Sequence, residues 1–114
     1  AVTGAMMMIK RDVYDAVGGF DEQLFKIACN DVDFCLRLRS KGLLNLFTPY
    51  AQAYHHESVS RGYEDTPEKQ IRFQGEVEAF RKRHAEALLL GDPYYNRNFR
   101  LDTEEVLAQP WAQH

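Results

Sequence analysis

Three observations on the sequence predict a mixed α/β fold: short apolar runs of strand type, helical patterns with recognisable ends, and a composition suited to one packed core. The runs lie at residues 2–9, 43–47 and 51–55, and Pro49, which cannot donate to a β ladder, separates the last two. The helical patterns end at glycines and begin at asparagine or at a Thr-Pro pair. Of 114 residues, 45% are hydrophobic and 27% charged, the balance of an ordinary globular protein. A chain of this length buries roughly two-thirds of its unfolded surface, enough for one core.

Each element follows from local signals. Residues 2–9 form a β-like run that includes Met6, Met7 and Met8. A short helix over residues 10–17 should stop at Gly18-Gly19, because glycine takes the left-handed conformation that closes a helix. Residues 20–27 read as a loop with one or two aromatic anchors. A second helix starts near Asn30, a good N-cap. Asp31 and Asp33 put negative charge in its first turn, and Arg37, Arg39 and Lys41 put positive charge towards its end, as the macrodipole favours. Asp31, Phe34, Cys35 and Leu38 share one side of it, and Gly42 ends it. The polar residues 57–66 form a loop. Thr66 then caps a third helix with Pro67 at its first position. Phe73, Val77, Phe80, His84 and Leu88 recur every three or four residues towards Leu90, which predicts one C-terminal helix about 35 Å long. Gly75 inside it costs about 1 kcal/mol relative to alanine. Residues from about 92 to 114 read as an extended tail.

Composition excludes some functions. The net charge is −3 and the pI about 5.8, with no basic stripe, so no nucleic-acid partner is expected. No apolar run is long enough to cross a bilayer, and no signal peptide opens the sequence. The chain begins inside a strand-like run, as a piece of a larger protein would. Cys29 and Cys35 are too few for a zinc site. Cys35 lies on the apolar face of the second helix and reads as a buried, reduced thiol, Cys29 as a more exposed one. Two structural cysteines suit a reducing compartment, hence a cytoplasmic protein.

Three groups could carry chemistry. Asp31 and Asp33, two residues apart at a helix start, point in different directions and do not share one proton. Asp31 could be a general base towards a hydroxyl nucleophile; complementing the helix dipole is the simpler role, since acidic first turns are common. His55 and His56, adjacent on a strand, face opposite sides, so one could ligate a metal while the other packs. A strand-end histidine bonded to a backbone carbonyl is the competing role. Arg61, before a glycine in the polar loop, offers the fork of donors that matches phosphate oxygens, although it is equally a solvated surface residue. Tyr94, Tyr95 and Phe99 could stack on a sugar ring or pack on the long helix. No phosphate-cradling glycine loop and no nucleophile triad occur.

In order, these pieces resemble family 2 glycosyltransferases of the GT-A type. Thr3-Gly4-Ala5 leads through Met8-Ile9-Lys10-Arg11 to Val17-Gly18-Gly19-Phe20-Asp21-Glu22, which is similar to the middle of that family. Asn30-Asp31-Val32-Asp33-Phe34-Cys35-Leu36-Arg37-Leu38 matches its acidic helix motif, and Ala53-Tyr54-His55-His56 the strand pair that follows. Asp92-Pro93-Tyr94-Tyr95-Asn96 is similar to the tail of non-processive, polysaccharide-building members. The resemblance runs over nearly the whole chain. Two departures stand out: Asn30 replaces the usual glutamate before the base, and His84 stands where related sequences often carry tryptophan.

The resemblance implies that residues 1–114 are the C-terminal, acceptor-side part of a GT-A (nucleotide-diphospho-sugar transferase) fold: a short mixed sheet with flanking helices and a long C-terminal helix, the N-terminal nucleotide-binding half being absent. It implies inverting transfer of a sugar from a nucleotide-diphosphate donor to a glycan or lipid-linked acceptor in cell-surface polysaccharide synthesis, in the cytoplasm or at the inner face of the membrane. Asp31 would be the catalytic base. Gly4, Ala5, Asn30 and Asp33 would lie on the acceptor side, and Arg61 on the loop over the diphosphate. His55 would be a ligand of Mn²⁺ or Mg²⁺. The family's Asp-x-Asp metal motif has no counterpart here, so the 114 residues alone should bind donor poorly and transfer nothing. A sheet edge left open could pair with a second copy. A non-catalytic carbohydrate-binding or scaffold module that kept the fold is the alternative, and an independent α/β interaction domain a third reading.

Overall fold

The computed structural model describes residues 1–56 and 66–93. Among them are four helices: α1 (Arg11–Val17), α2 (Asn30–Ser40), α3 (Pro67–Arg83) and α4 (Ala85–Leu90). The expected tail beyond residue 93 and the loop carrying Arg61 lie outside the described residues.

α1 ends as its glycines dictate. Gly18 is left-handed, with φ of 85°, and its N–H and that of Gly19 close on Asp15 O and Tyr14 O at 3.1 and 2.9 Å. The following loop is pinned by Asp21, whose Oδ1 accepts from Gln23 N and Leu24 N, and by the two expected aromatic anchors. Phe20 packs between Tyr14 and Phe34, with ring centroids 5.8 and 5.0 Å apart, and Phe25 meets Phe80 at 6.2 Å. α2 buries Phe34, Cys35 and Leu38 on one side, and these with Phe25 form the apolar core of the described residues. Burying side chains of this size stabilises by about 1.5–3 kcal/mol each.

Two expectations meet a different outcome. The long C-terminal helix is interrupted: Thr66 Oγ1 caps α3 from Lys69 N at 3.3 Å as expected, but His84 leaves helical geometry (φ −111°, ψ 28°) and divides α3 from α4. Helical bonds continue on both sides, from His84 N to Phe80 O and from Leu88 N to His84 O, so bonding of the helical type runs through the break. The side chain at the break reaches Asp33 on α2. The second difference is that residues 2–9, 43–47 and 51–55 carry no strand, and no strand occurs among the described residues. An apolar run becomes a strand only with a ladder partner, and the first two of these segments bond to α2 instead. Val2 N donates to Cys35 Sγ at 3.3 Å, Leu43 N to Leu38 O at 3.1 Å, and Asn45 Nδ2 to Cys35 O at 3.0 Å.

Candidate functional site

The start of α2 is built by a residue far along the chain. Glu76 on α3 is 5% exposed, and its two carboxylate oxygens each accept one backbone N–H, from Ile27 at 3.0 Å and Ala28 at 3.1 Å. Arg72, one turn earlier, stands 3.6 Å from the same carboxylate. The next residue, Cys29, has φ of +63°, the one non-glycine among the described residues in the left-handed region. Its carbonyl accepts from Asp33 N at 2.8 Å and opens α2. Cys29 therefore takes the N-cap place expected of Asn30. Asn30 instead turns its Oδ1 to Asp31 N at 2.7 Å.

Asp31 stands at the mouth of this arrangement, half-buried. Its Oδ2 accepts from Gly4 N at 2.8 Å and its Oδ1 from Val32 N at 2.9 Å. A methyl group on Gly4 would sit 3.4 Å from Asp31 Cβ, an ordinary contact, so the N-terminal segment lies against Asp31 with room for a small side chain. Ala5 follows on the exposed side, its N–H donating to Thr3 Oγ1 at 3.3 Å. The structure thus brings Gly4, Asn30 and Asp31 together, with Ala5 beside them.

Asp33 is placed differently from the acceptor-facing position expected for it. It is fully buried and joins three elements. Arg37 Nε donates to Oδ2 at 2.9 Å, while Arg83 Nη1 and His84 Nε2 stand 3.2 and 2.7 Å from Oδ1. A carboxylate only accepts, so Nε2 is the His84 atom that donates to it. An indole N–H, as at the tryptophan expected here from the resemblance, would donate in the same sense. Arg37 also donates to Val17 O at 3.0 Å and Gly19 O at 2.7 Å, tying the end of α1 to α2. Arg83 closes the arrangement with Asp21 at 2.8 Å.

The electrostatics follow this geometry. Backbone donation from Leu24 and the Arg83 guanidinium hold the Asp21 carboxyl below its ordinary value. Burial pulls against the charge of Arg83, but its bonds to Asp21 and Asp33 outweigh this and raise it. Burial pushes the Cys29 thiol up, and the neighbouring charges of Glu76, Asp31 and Asp33 add to the shift, so Cys29 is no reactive thiolate. Both cysteines are free thiols, and Cys35 is buried as expected.

His55 and His56 lie on the exposed residues 51–56. Among the described residues no three His, Cys, Asp or Glu side chains gather to hold a metal ion. No helix of the described residues is long and apolar enough to cross a membrane. The open pocket lined by Phe20, Asp21, Arg37 and Arg83 belongs to the Asp33 network, its arginines already engaged.

Sequence reasoning missed Glu76, Arg83 and the role of His84. The one signal for Glu76 was periodicity: it stands three residues after Phe73 and four before Phe80, a carboxylate on the inward side of the helix. Its partners are 48 and 49 residues away, which no local pattern reports.

Comparison with known proteins places this arrangement in context. The chain is 48% identical over 111 residues to an uncharacterized protein, y4gI, of Sinorhizobium fredii, a match covering 96% of this chain and 12% of that protein. It is 36% identical over 101 residues to the O-antigen biosynthesis protein RfbC of Myxococcus xanthus, covering 89% of this chain and 8% of the relative. Over 61 residues it is 36% identical to the N-acetylglucosaminyl-diphospho-decaprenol L-rhamnosyltransferase of Mycobacterium tuberculosis, covering 54% of this chain and 20% of the relative. No family model and no solved structure matches. The chain thus spans a fifth or less of the length of these curated relatives, two of which are named for glycosyl transfer or O-antigen synthesis.

Proposed function

We propose that this chain is the acceptor-side part of an inverting glycosyltransferase of the GT-A type and family 2, acting in cell-surface polysaccharide synthesis. The donor would be a nucleotide-diphosphate sugar and the acceptor a glycan or lipid-linked saccharide, met in the cytoplasm or at the inner face of the membrane. The names of the relatives support the reaction class. The observation that carries the residue assignment is the contrast between two neighbouring carboxylates. Asp33 is consumed by Arg37, Arg83 and His84, whereas Asp31 stands half-buried at the start of α2, oriented by Gly4 N and Val32 N.

In this reading Asp31 accepts the proton of the acceptor hydroxyl as its oxygen attacks the anomeric carbon. The bond from that carbon to the diphosphate oxygen breaks on the opposite face, with inversion. Gly4, Ala5 and Asn30 border the acceptor. Asp33 holds the scaffold under them, and Arg61 attends the diphosphate. Mn²⁺ or Mg²⁺ would neutralise the leaving diphosphate, with His55 as one ligand and further donors from outside the described residues.

A second reading rests on the same hydrogen bonds. A carboxylate that accepts two backbone N–H groups is also an N-terminal fastening of α2, which a non-catalytic carbohydrate-binding or scaffold module would keep. The full-length protein decides between them. Asp31→Asn should lower transfer from a responsive nucleotide sugar by about 10²–10⁴-fold with donor binding unchanged. Full activity in the variant would return Asp31 to fastening. A wild type that binds saccharide but turns over no donor in a broad panel would favour the module.

A further inference from the structure

Glu76 is a buried carboxylate for which the proposed reaction has no use, and its geometry is specific. It projects from α3, yet it bonds to no helix end of its own. Each oxygen takes one N–H of two successive residues, Ile27 and Ala28, immediately before the left-handed Cys29. A side chain bearing Cβ is disfavoured in that conformation, so the turn persists only if its surroundings hold it. Cys29 O then takes the first helical N–H of α2, and Asp31 emerges two residues after the turn, against Gly4. The direction in which α2 starts, and with it the position of the Asp31 carboxylate, is set at the turn that Glu76 grips.

We infer that Glu76 is a positioning residue for Asp31, acting through the turn at residues 27–29; the inference rests on the reading of Asp31 as the base. The chemistry calls for a carboxylate at this position. Two parallel N–H donors need a group that only accepts, and a glutamine would satisfy one of them while presenting its own N–H to the other. Arg72 stands beside the carboxylate at 3.6 Å, a cation facing its charge.

The test compares Glu76→Gln, Asp31→Asn and the double variant in the full-length protein, by hydrogen exchange with mass spectrometry and by steady-state kinetics. Glu76→Gln should speed exchange about 10-fold in peptides covering residues 27–33 and Gly4, with the rest of the chain unchanged. It should lower kcat about 10- to 100-fold at an unchanged KM for donor, the signature of a misplaced group rather than a lost binding contact. In the double variant, kcat should fall no further than in Asp31→Asn alone. Should Glu76→Gln fail to fold, Glu76→Asp, still an acceptor-only carboxylate but one methylene shorter, is expected to show the same local exchange pattern. Unchanged exchange at residues 27–33, acceleration spread evenly along the chain, or additive losses in the double variant would overturn the inference. Full kcat in Asp31→Asn would instead remove the base assignment, and the exchange comparison would still decide whether Glu76 holds the turn.

Discussion

Gly19 shows how a single position can be legible in the sequence for one reason and required for another. The Gly18-Gly19 pair announces the end of α1, and Gly18 does take the left-handed conformation that a helix stop needs. Gly19 is also left-handed, at φ of 67°, and a Cβ there would fall 2.8 Å from Cζ and Oη of Tyr14, whose ring packs on Phe20 and Phe34. The tyrosine cannot retreat without opening that cluster. Gly19→Ala should therefore destabilise by about 2–3 kcal/mol, combining backbone strain with a displaced ring. Urea unfolding measures it, and a change below about 0.5 kcal/mol would show that neither the left-handed backbone nor the Tyr14 ring carries the expected cost. The same division applies to the carboxylates. Their spacing separates Asp31 from Asp33, but only the fold says which one faces outward, because Arg83 and His84 arrive from 50 and 51 residues away.

Elements were legible where their signals are local. Thr66 and Pro67 start α3, Gly18 stops α1, and the acidic first turn with a following apolar face marks α2. The break at His84 was hidden, because the residue fits the apolar period of the helix and departs from it only to meet a buried acid on another element. That acid is the joint of the described structure: α2 contributes Asp33 and Arg37, α3 contributes Arg83, and His84 stands between α3 and α4. Removing it leaves two guanidiniums and an imidazole facing each other in a space that Asp33 had neutralised. Breaking a buried pair from one side costs about 3–5 kcal/mol; the arginine side chains are 21% and 32% exposed, so water relieves part of this, and Asp33→Ala should fall near the lower figure. A loss below about 1 kcal/mol in urea would show that the joint carries no net stability and serves orientation alone.

At the scale of the molecule, several large apolar side chains among the described residues stand uncovered. They gather in residues 43–56, where Leu44, Leu46, Phe47, Tyr50 and Tyr54 are between 73% and 97% exposed. The sequence marked this stretch as apolar and read it as two strands; what such strands would pair with is not written in their own residues, and the mixed sheet remains part of the proposed architecture. The exposure has a direct consequence for the 114-residue chain. Replacing Leu46 and Phe47 together by serine removes no packed contact, so it should shift unfolding free energy by no more than about 0.5 kcal/mol, whereas Phe34→Ala in the core should cost about 3–5 kcal/mol. The double replacement should at the same time reduce binding of an apolar dye such as ANS, because it removes two of the largest exposed apolar groups. A loss of several kcal/mol on replacing Leu46 and Phe47, with dye binding unchanged, would instead place both side chains inside a packed core of the isolated chain.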